Sequence, residues 1–235
     1  METISVVIPA FNEKKHISAC LKSLRRQTLP PLEIIVVDGG SSDGTASVAR
    51  ARGARVIVEK RRKGAGAARN IGAAAARGSI LAFTDADSIP DSNWLQRISL
   101  CFRDPEVVCV GGPLAPAGGD LRDRFFYALF SDLFPTVASL AGFYPFHGSN
   151  LAVRKEAFER AGGFSESLLA IEDNELANRM ARFGKVVFDR GLRATNSPRR
   201  FRRFGYLREA LRYWHAGIRC YLLGKSVDSY TLVRD

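Results

Sequence analysis

The alternation of apolar runs with helical segments over the first 90 residues constrains the fold of this chain most strongly. Short apolar runs rich in β-branched residues cover 4–8, 34–37, 56–58 and 80–83, and segments of helical periodicity at 13–27, 43–53 and 65–77 separate them. Strands that alternate with helices favour a parallel sheet with right-handed crossovers. The sequence therefore predicts an α/β fold, with a Rossmann-like, mainly parallel sheet flanked by helices.

The second half of the chain is less regular. Segment 125–146 is apolar except for Asp132, but Pro135, Gly142 and Pro145 interrupt it, so we predict an amphipathic helix rather than a membrane span. Another helix is predicted at 172–183. We predict that residues 1–200 form the main domain and that 201–235 form a basic, aromatic, helical C-terminal extension.

Polar residues follow the predicted strands where these strands end. In open parallel sheets, ligands bind beyond the carboxyl ends of the strands. Two of these residues, Asp85 and Asp87, are separated by one position in an extended segment, so both carboxylates point to the same side. Oxygen ligands of this kind suit Mg²⁺ or Mn²⁺, whereas the alternative is a turn with two solvated acids.

Two further segments could contact a nucleotide. Asp38 begins a glycine-rich loop and could accept hydrogen bonds from a base or a ribose, while Ser42 or Asp43 could cap the next helix. The segment 64–72 lacks the glycine spacing of a dinucleotide-binding motif. Its Arg69 could meet a nucleotide, or its alanines could simply form a close-packed helix.

Acidic residues also occur at the start of the helix predicted at 172–183. Glu172 and Asp173 could stabilise the helix dipole, or they could serve as a general base. His147 is a single histidine without a ligand pattern, and we favour a structural role for it over contact with an acceptor or a metal.

The net charge of +11 indicates an anionic partner. Nine arginines and one acid fall within 190–219, and aromatic residues interleave with them. The four cysteines form no CxxC pair, and no signal peptide precedes the first strand, so we expect a cytoplasmic protein.

Four motifs occur in a fixed order: 7–13 (VIPAFNE), 37–45 (VDGGSSDGT), 84–87 (TDAD) and 172–173 (ED). Together they resemble the family-two glycosyltransferases with a GT-A fold, over about residues 5–201. The resemblance implies a nucleotide-sugar donor, a divalent metal and an acceptor. We expect no nucleic acid as partner, because the acids at the strand ends would repel its phosphates unless a metal intervened. The resemblance implies donor contacts for Pro9, Asn12, Glu13, Asp38, Arg69 and Asp85. The negative charge of a departing diphosphate favours Arg199 or Arg200 as a further donor contact. The resemblance implies metal binding by Asp87 and Asp85, an acceptor side formed by Gly148, Ser149 and Asn150, and a catalytic base at Asp173 with Glu172 beside it. His147 is next to this acceptor side in the sequence and could touch the acceptor.

The segment 197–201 (SPRRF) resembles a degenerate form of the (Gln/Arg)-x-x-Arg-Trp motif of processive members. Arg200 fits this motif, whereas Ser197 and Phe201 depart from it, which argues against polymer synthesis. The family resemblance implies a single displacement that inverts the anomeric carbon.

Two alternative functions remain open. One is a sugar-phosphate nucleotidyltransferase, although the glycine-rich loop typical of that class is missing at 9–13. The other is a non-enzymatic module that binds nucleic acid or anionic lipid.

Two features favour contact with a membrane surface. Segment 125–146 is too apolar for an ordinary surface segment and too interrupted to span a bilayer, and the mixture of basic and aromatic residues between 199 and 223 suits a helix in the headgroup region. We therefore expect peripheral contact with the cytoplasmic face of a membrane and a lipid-linked acceptor. The apolar segment 125–146 could instead be core or a dimer contact, and the arginines could instead serve the diphosphate or stay solvated.

Overall fold

The computed structural model describes residues 2–61, 64–168, 171–209 and 211. A seven-stranded sheet forms its centre, with the strand order β3-β2-β1-β4-β8-β6-β9. These strands are β1 (Ile4–Ala10), β2 (Glu33–Asp38), β3 (Arg55–Val58), β4 (Ile80–Phe83), β6 (Val107–Gly111), β8 (Leu151–Arg154) and β9 (Lys185–Phe188). Only β8 runs antiparallel to its neighbours, so the prediction of a mainly parallel sheet is confirmed.

A second, three-stranded sheet has the order β5-β10-β7 and consists of β5 (Ser88–Pro90), β7 (Leu114–Pro116) and β10 (Ala194–Asn196). The sequence analysis did not predict it, because a three-residue strand is too short to show periodicity. Its partners also come from distant parts of the chain. This sheet joins the segment after Asp87 to the segment that precedes Arg199.

Helices cover both faces of the main sheet. They are α1 (Lys14–Arg25), α2 (Thr45–Ala51), α3 (Ala65–Ala75), α4 (Trp94–Cys101), α5 (Leu121–Tyr127), α6 (Phe134–Leu140), α7 (Lys155–Arg160), α8 (Glu172–Met180) and α9 (Arg199–Phe204). One buried layer contains Leu21 of α1, Trp94 of α4 and Ile8 of β1, and the other contains Phe83 of β4 and Leu176 of α8. Strands buried on both faces explain why β1, β2 and β4 read as continuous apolar runs.

Several helix boundaries differ from the predicted ones. The helix predicted at 13–27 is Lys14–Arg25, the one at 65–77 is Ala65–Ala75, and the one at 172–183 ends at Met180. The N-cap residue of α2 is Gly44 rather than the predicted Ser42 or Asp43, although the Asp43 carboxylate accepts the N–H of Thr45, the first residue of α2. Helix α9 crosses the predicted domain boundary at 200–201, and the predicted extension beyond 211 lies outside the described residues.

The amphipathic helix predicted within 125–146 is part of a longer helical segment. Helix α5 continues into a π-helical turn (Ala128–Leu133) and then into α6, and we call this segment, 121–140, the surface helix. The Ser131 hydroxyl accepts the N–H of Leu114, and the Tyr127 hydroxyl donates to Asn196 Oδ1. These two hydrogen bonds attach the surface helix to the three-stranded sheet. None of the helices among the described residues has the length and hydropathy needed to cross a bilayer.

Candidate active site

The loops that follow β1 and β2 form a single rim at the carboxyl edge of the sheet. Asn12 has a φ of 55°, in the left-handed region that asparagine tolerates better than most residues. It donates its N–H to Ser41 Oγ at 2.8 Å, and its Oδ1 accepts the N–H of Ser42 at 3.0 Å. The pairing of β1 with β2 therefore extends beyond the strands themselves.

Asp43 fixes this rim to two helices. Its carboxylate accepts the N–H of Lys14 at 3.0 Å and the N–H of Thr45 at 2.9 Å, which are the first residues of α1 and α2. Burial opposes ionisation here, but the hydrogen bonds outweigh it and lower the pKa of Asp43. A negative charge at two helix N-termini also benefits from both helix dipoles.

Asp38 ends β2 and is buried. Its two carboxylate oxygens accept the N–H and the hydroxyl of Ser41, at 3.0 and 2.5 Å. Pro9 lies opposite Val37 in the neighbouring strand. Pro9, Asn12 and Asp38 therefore share one edge, as predicted, while the contact of Asp38 with a base stays a prediction.

Asp85 and Asp87 follow β4 and are both half-buried. Burial, together with the negative charge of Asp85, raises the pKa of Asp87 to about 7, although the positive charge of Arg199 opposes this shift. The neighbouring hydroxyls of Thr84 and Ser88 are buried without a hydrogen-bond partner in the described part of the chain. Negative charge is thus concentrated where β4 ends.

Arg69 lies beneath these acids rather than in an open pocket. It donates from Nη2 to Asp85 Oδ1 at 2.9 Å and from Nη1 to Glu172 Oε1 at 2.8 Å, and its Cζ lies 5.4 Å from the centroid of the Phe164 ring. Only 3% of the residue is exposed. The predicted contact of Arg69 with a base does not match this arrangement, because the guanidinium is used to hold two carboxylates in place.

Gly148 allows the arginine to occupy this position. A Cβ atom at residue 148 would lie 2.7 Å from Arg69 Cζ, which is closer than real contacts permit. The N–H of the same glycine donates to Asp173 Oδ2 at 2.6 Å. Gly148 therefore contacts both the buried arginine and the predicted base.

Glu172 and Asp173 begin α8 after an unusual backbone turn. Ile171 has a φ of 60°, which for a β-branched residue costs of the order of 1–3 kcal/mol. Burial and the adjacent Asp173 charge raise the pKa of Glu172 to about 7, and Arg69 opposes the shift. Asp173 is half-buried, and its Oδ1 accepts the N–H of Asn174 at 2.9 Å, so it also stabilises the start of the helix.

The segment His147–Asn150 is only partly arranged as predicted. His147 is half-buried, its Nε2 has no hydrogen-bond partner among the described residues, and burial lowers its pKa. Ser149 is buried, and Asn150 is fully so. Asn150 Oδ1 accepts the indole N–H of Trp94 at 2.7 Å, and its Nδ2 donates to two backbone carbonyls. The prediction that Asn150 faces an acceptor is therefore corrected, since its amide is used within the core.

Comparisons with known proteins agree with this geometry. Residues 5–162 match the model of glycosyl transferase family 2. The chain belongs to this family. It is 34% identical over 177 residues to the glycosyltransferase AglE of Haloferax volcanii, which covers 71% of this chain and 57% of AglE. It is also 36% identical over 123 residues, 51% of this chain and 36% of the relative, to an uncharacterized glycosyltransferase, EpsJ, of Bacillus subtilis.

Solved structures that are similar to this family 2 chain share its fold. The mannosyltransferase PcManGT of Pyrobaculum calidifontis, in complex with GDP-Man and Mn²⁺, has a TM-score of 0.69 at 25% identity, over 90% of this chain and 64% of that one. The glucosyl-3-phosphoglycerate synthase of Mycobacterium tuberculosis has a TM-score of 0.63 at 24% identity, over 91% and 78%. The fold is thus of the GT-A type, and the chain spans little more than half the length of AglE.

The two arginines of the degenerate motif in this family 2 chain have different surroundings. Arg199 pairs with Glu13, and its Nη2 lies 3.3 Å from Asp87 Oδ2, so it faces the acids. Arg200 donates from Nε to the buried Glu209 at 2.6 Å. The prediction of a donor contact therefore suits Arg199. The Arg200 guanidinium instead contacts Glu209, which lies in the segment that follows α9.

Five carboxyl groups and two guanidinium groups meet at this edge of the sheet: Glu13, Asp85, Asp87, Glu172 and Asp173, with Arg69 and Arg199. No group of three or more His, Cys, Asp or Glu side chains within the described ranges could hold a metal ion unaided. The sequence analysis did not identify Ser41 and Phe164 as site residues. A serine in a glycine-rich loop and a phenylalanine between helices carry no pattern that would mark them.

Proposed function

We propose that this family 2 chain is a glycosyltransferase that moves a sugar from a nucleoside-diphosphate sugar to an acceptor and uses a divalent metal, Mg²⁺ or Mn²⁺. The excess of carboxyl groups over guanidinium groups at the strand ends carries this proposal. An anionic diphosphate would be repelled by such a site unless a cation lay between them. The GDP-Man and Mn²⁺ bound by the Pyrobaculum relative support it.

The residues present fit a divalent cation. Asp87 and Asp85 are half-buried oxygen donors, and Mg²⁺ or Mn²⁺ needs only one or two carboxylates when phosphate oxygens and waters complete its coordination. The raised pKa of Asp87 marks a carboxylate whose charge is poorly compensated. When bound, the metal would stabilise the negative charge that develops on the departing diphosphate.

The donor pocket that we propose is the rim formed by Pro9, Asn12 and Asp38. Hydrogen bonds between the two loops hold it rigid, which lowers the entropic cost of ordering the site on binding. Arg199 is placed to approach the diphosphate because it already lies beside Asp87. Its planar guanidinium is suited to paired phosphate oxygens.

Asp173 is the base that we propose for the acceptor. It is the less buried acid of the pair, and the N–H groups of Gly148 and Asn174 fix the orientation of its carboxylate. It would take the proton of an acceptor hydroxyl, whose oxygen then attacks the anomeric carbon as the bond to the diphosphate breaks on the opposite face. This single displacement inverts the anomeric carbon.

We further propose that the acceptor is membrane-borne, a lipid-linked sugar or a lipid phosphate, which the basic and aromatic segment 199–223 favours. A lipid phosphate would need no base. Activity of an Asp173→Asn variant on one class of acceptor alone would distinguish the two.

A thermal-shift screen tests the donor and the metal together. GDP, UDP, GDP-Man and UDP-GlcNAc should each be compared in Mn²⁺ and in EDTA, because a ligand that binds the folded state raises the unfolding temperature. We expect at least one of them to raise it in Mn²⁺, and the Asp87→Ala variant to lose the effect. A set of nucleotides that never shifts the transition in Mn²⁺ would contradict the proposal.

A further inference from the structure

The surface helix has one buried side and one exposed side that differ sharply. Its buried side consists of residues spaced by four: Asp123, Tyr127, Ser131 and Pro135. Its exposed side carries large apolar residues, among which Leu121, Phe125 and Leu140 are 82, 70 and 87% exposed. We call the exposed side the ridge, which consists of Leu121, Phe125, Phe130, Leu133, Phe134, Val137 and Leu140.

The π-helical turn keeps the ridge on one side of the helix. A step of four residues overshoots one turn of an α-helix but falls short of one turn of a π-helix. Residues spaced by four along α5 therefore shift progressively around the helix axis in one direction. Between Ala128 and Leu133 the π-helical turn shifts such a row back in the other direction. Leu121, Phe125, Leu133 and Val137 can consequently share one face over nearly the whole segment.

Within the segment 121–140, the exposed charges are unbalanced. Arg122 and Arg124 are exposed and, by helical periodicity, flank the row of Leu121 and Phe125 on either side. The two acidic side chains of this segment are paired with residues outside it. Asp123 is fully buried against Arg202 and Tyr206, and Asp132 is paired with Arg190 through two hydrogen bonds of 2.7 Å.

The apolar surface continues onto the segment that follows α9. Leu207 and Leu211 are exposed there, and the preceding residue, Tyr206, packs on Phe126 of the surface helix with ring centroids 4.9 Å apart. Arg208 is exposed as well. The same combination of exposed leucine and exposed arginine therefore recurs next to the ridge.

From this surface we infer that the ridge is a docking face for an anionic lipid bilayer. This inference rests on the proposed function in assuming a membrane-borne acceptor, and of the two segments that the sequence indicated, 125–146 and 199–223, it assigns the contact to the exposed side of the surface helix. An apolar row flanked by arginines suits a helix that lies in the headgroup region, where the arginines reach the lipid phosphates. A second copy of this chain would place arginine against arginine across a two-fold interface, which disfavours self-association.

Vesicle co-sedimentation of the full chain tests this inference. The vesicles are phosphatidylcholine alone and phosphatidylcholine mixed with an equal part of phosphatidylglycerol. We expect binding to the mixed vesicles only. The triple variant L121S/F125S/L140S should bind at least about tenfold less, and R122Q/R124Q about thirtyfold less, since each basic side chain contributes about 1 kcal/mol at an anionic surface.

The matched control is L32S/V58S/L100S, which removes three exposed apolar residues, 45, 43 and 46% exposed, outside the ridge. It should bind as the wild type does. Equal binding by the ridge variant and the control would overturn the inference, as would failure of the wild type to bind the mixed vesicles. So would a dimer in gel filtration that the ridge variant abolishes without any lipid present.

A failure of the membrane contact and a failure of the proposed enzymatic function give different results. Unfolding curves and the nucleotide-induced thermal shift should be the same for the wild type, the ridge variant and the control. A ridge variant that unfolds early is replaced by the single variant L140S at the most exposed position. Loss of vesicle binding with an intact nucleotide shift supports the membrane contact alone, whereas vesicle binding without any nucleotide shift contradicts only the enzymatic proposal.

Discussion

Arg69 holds a positive charge in the buried layer under the strand ends, where an unpaired charge would cost several kcal/mol. Asp85 and Glu172 provide its partners, at 2.9 and 2.8 Å. The arginine thereby links the segment after β4 to the start of α8. The carboxyl groups of the two regions keep a fixed distance from each other because they share this one cation.

The pKa of Glu172 gives a test at the scale of single residues. Because its pKa is raised to about 7 in the folded state, the folded chain binds more protons than the unfolded chain between the usual glutamate pKa and about 7. Stability contributed by this group is therefore lost as the pH rises through that range. We expect the E172Q variant to flatten the decline in the free energy of unfolding between pH 5 and pH 7.

Urea unfolding at pH 5, 6, 7 and 8 measures this effect. Glutamine keeps an oxygen for Arg69 Nη1, so the comparison removes the titration rather than the hydrogen bond. The control is E175Q on the same helix, where Glu175 pairs with Arg179 at 2.7 Å outside the acid cluster. An identical pH slope in the wild type and E172Q would show that burial does not raise the pKa of Glu172.

At the scale of secondary-structure elements, helix α9 connects the surface helix with the acidic residues at the strand ends. Arg199 at its start faces Glu13 and Asp87, and one turn later Arg202 pairs with the buried Asp123 of α5. Phe201 packs on Phe126 and Tyr127 between them. Asp123 is therefore a positioning residue for Arg199 in this account.

The D123N variant tests that role. Loss of the charge weakens the contacts with Arg202 and Tyr206, so α9 should hold Arg199 less firmly against Asp87. We expect the KM for the donor to rise by about tenfold, which matches the loss of a hydrogen bond to a charged group, with a smaller change in kcat. Steady-state kinetics at varied donor concentration separate the two constants.

D132N is the matched control, because Asp132 lies on the same surface helix but pairs with Arg190 instead of α9. Its donor KM should stay within about twofold of the wild-type value, given that an exposed ion pair contributes little. If D123N and D132N change KM equally, the surface helix affects the site only through general stability.

The elements that the sequence predicted well are those with a repeating pattern. Strands β1, β2 and β4 and helix α1 each bury an apolar row long enough to be recognised, and the acids at their ends follow from the parallel topology. The small sheet and the π-helical turn have no such repeat. The role of Arg69 was missed because its partners, Asp85 and Glu172, are 16 and 103 residues away along the chain.

At the scale of the whole molecule, the sheet order brings three acidic regions to a single edge. The loops after β1 and β4 are adjacent because these strands pair directly, and α8 reaches the same edge through Arg69 and Gly148. Helix α9 contacts the acids of this edge through Arg199 and contacts the surface helix through Arg202. A site for a donor with a metal and a site for a membrane-borne acceptor would thus be parts of one continuous surface.

The most direct test of the enzymatic account measures donor binding and turnover side by side for the wild type, D87A and D173N. The donor is the one that the thermal-shift screen selects, and turnover is the release of nucleoside diphosphate with a lipid extract as acceptor. We predict that D87A binds the donor weakly and is inactive. D173N should bind the donor as the wild type does but turn over at least ~10²-fold more slowly, the lower range for loss of a general base. Full activity in EDTA, or near-normal turnover by D173N on a hydroxyl acceptor, would contradict the account.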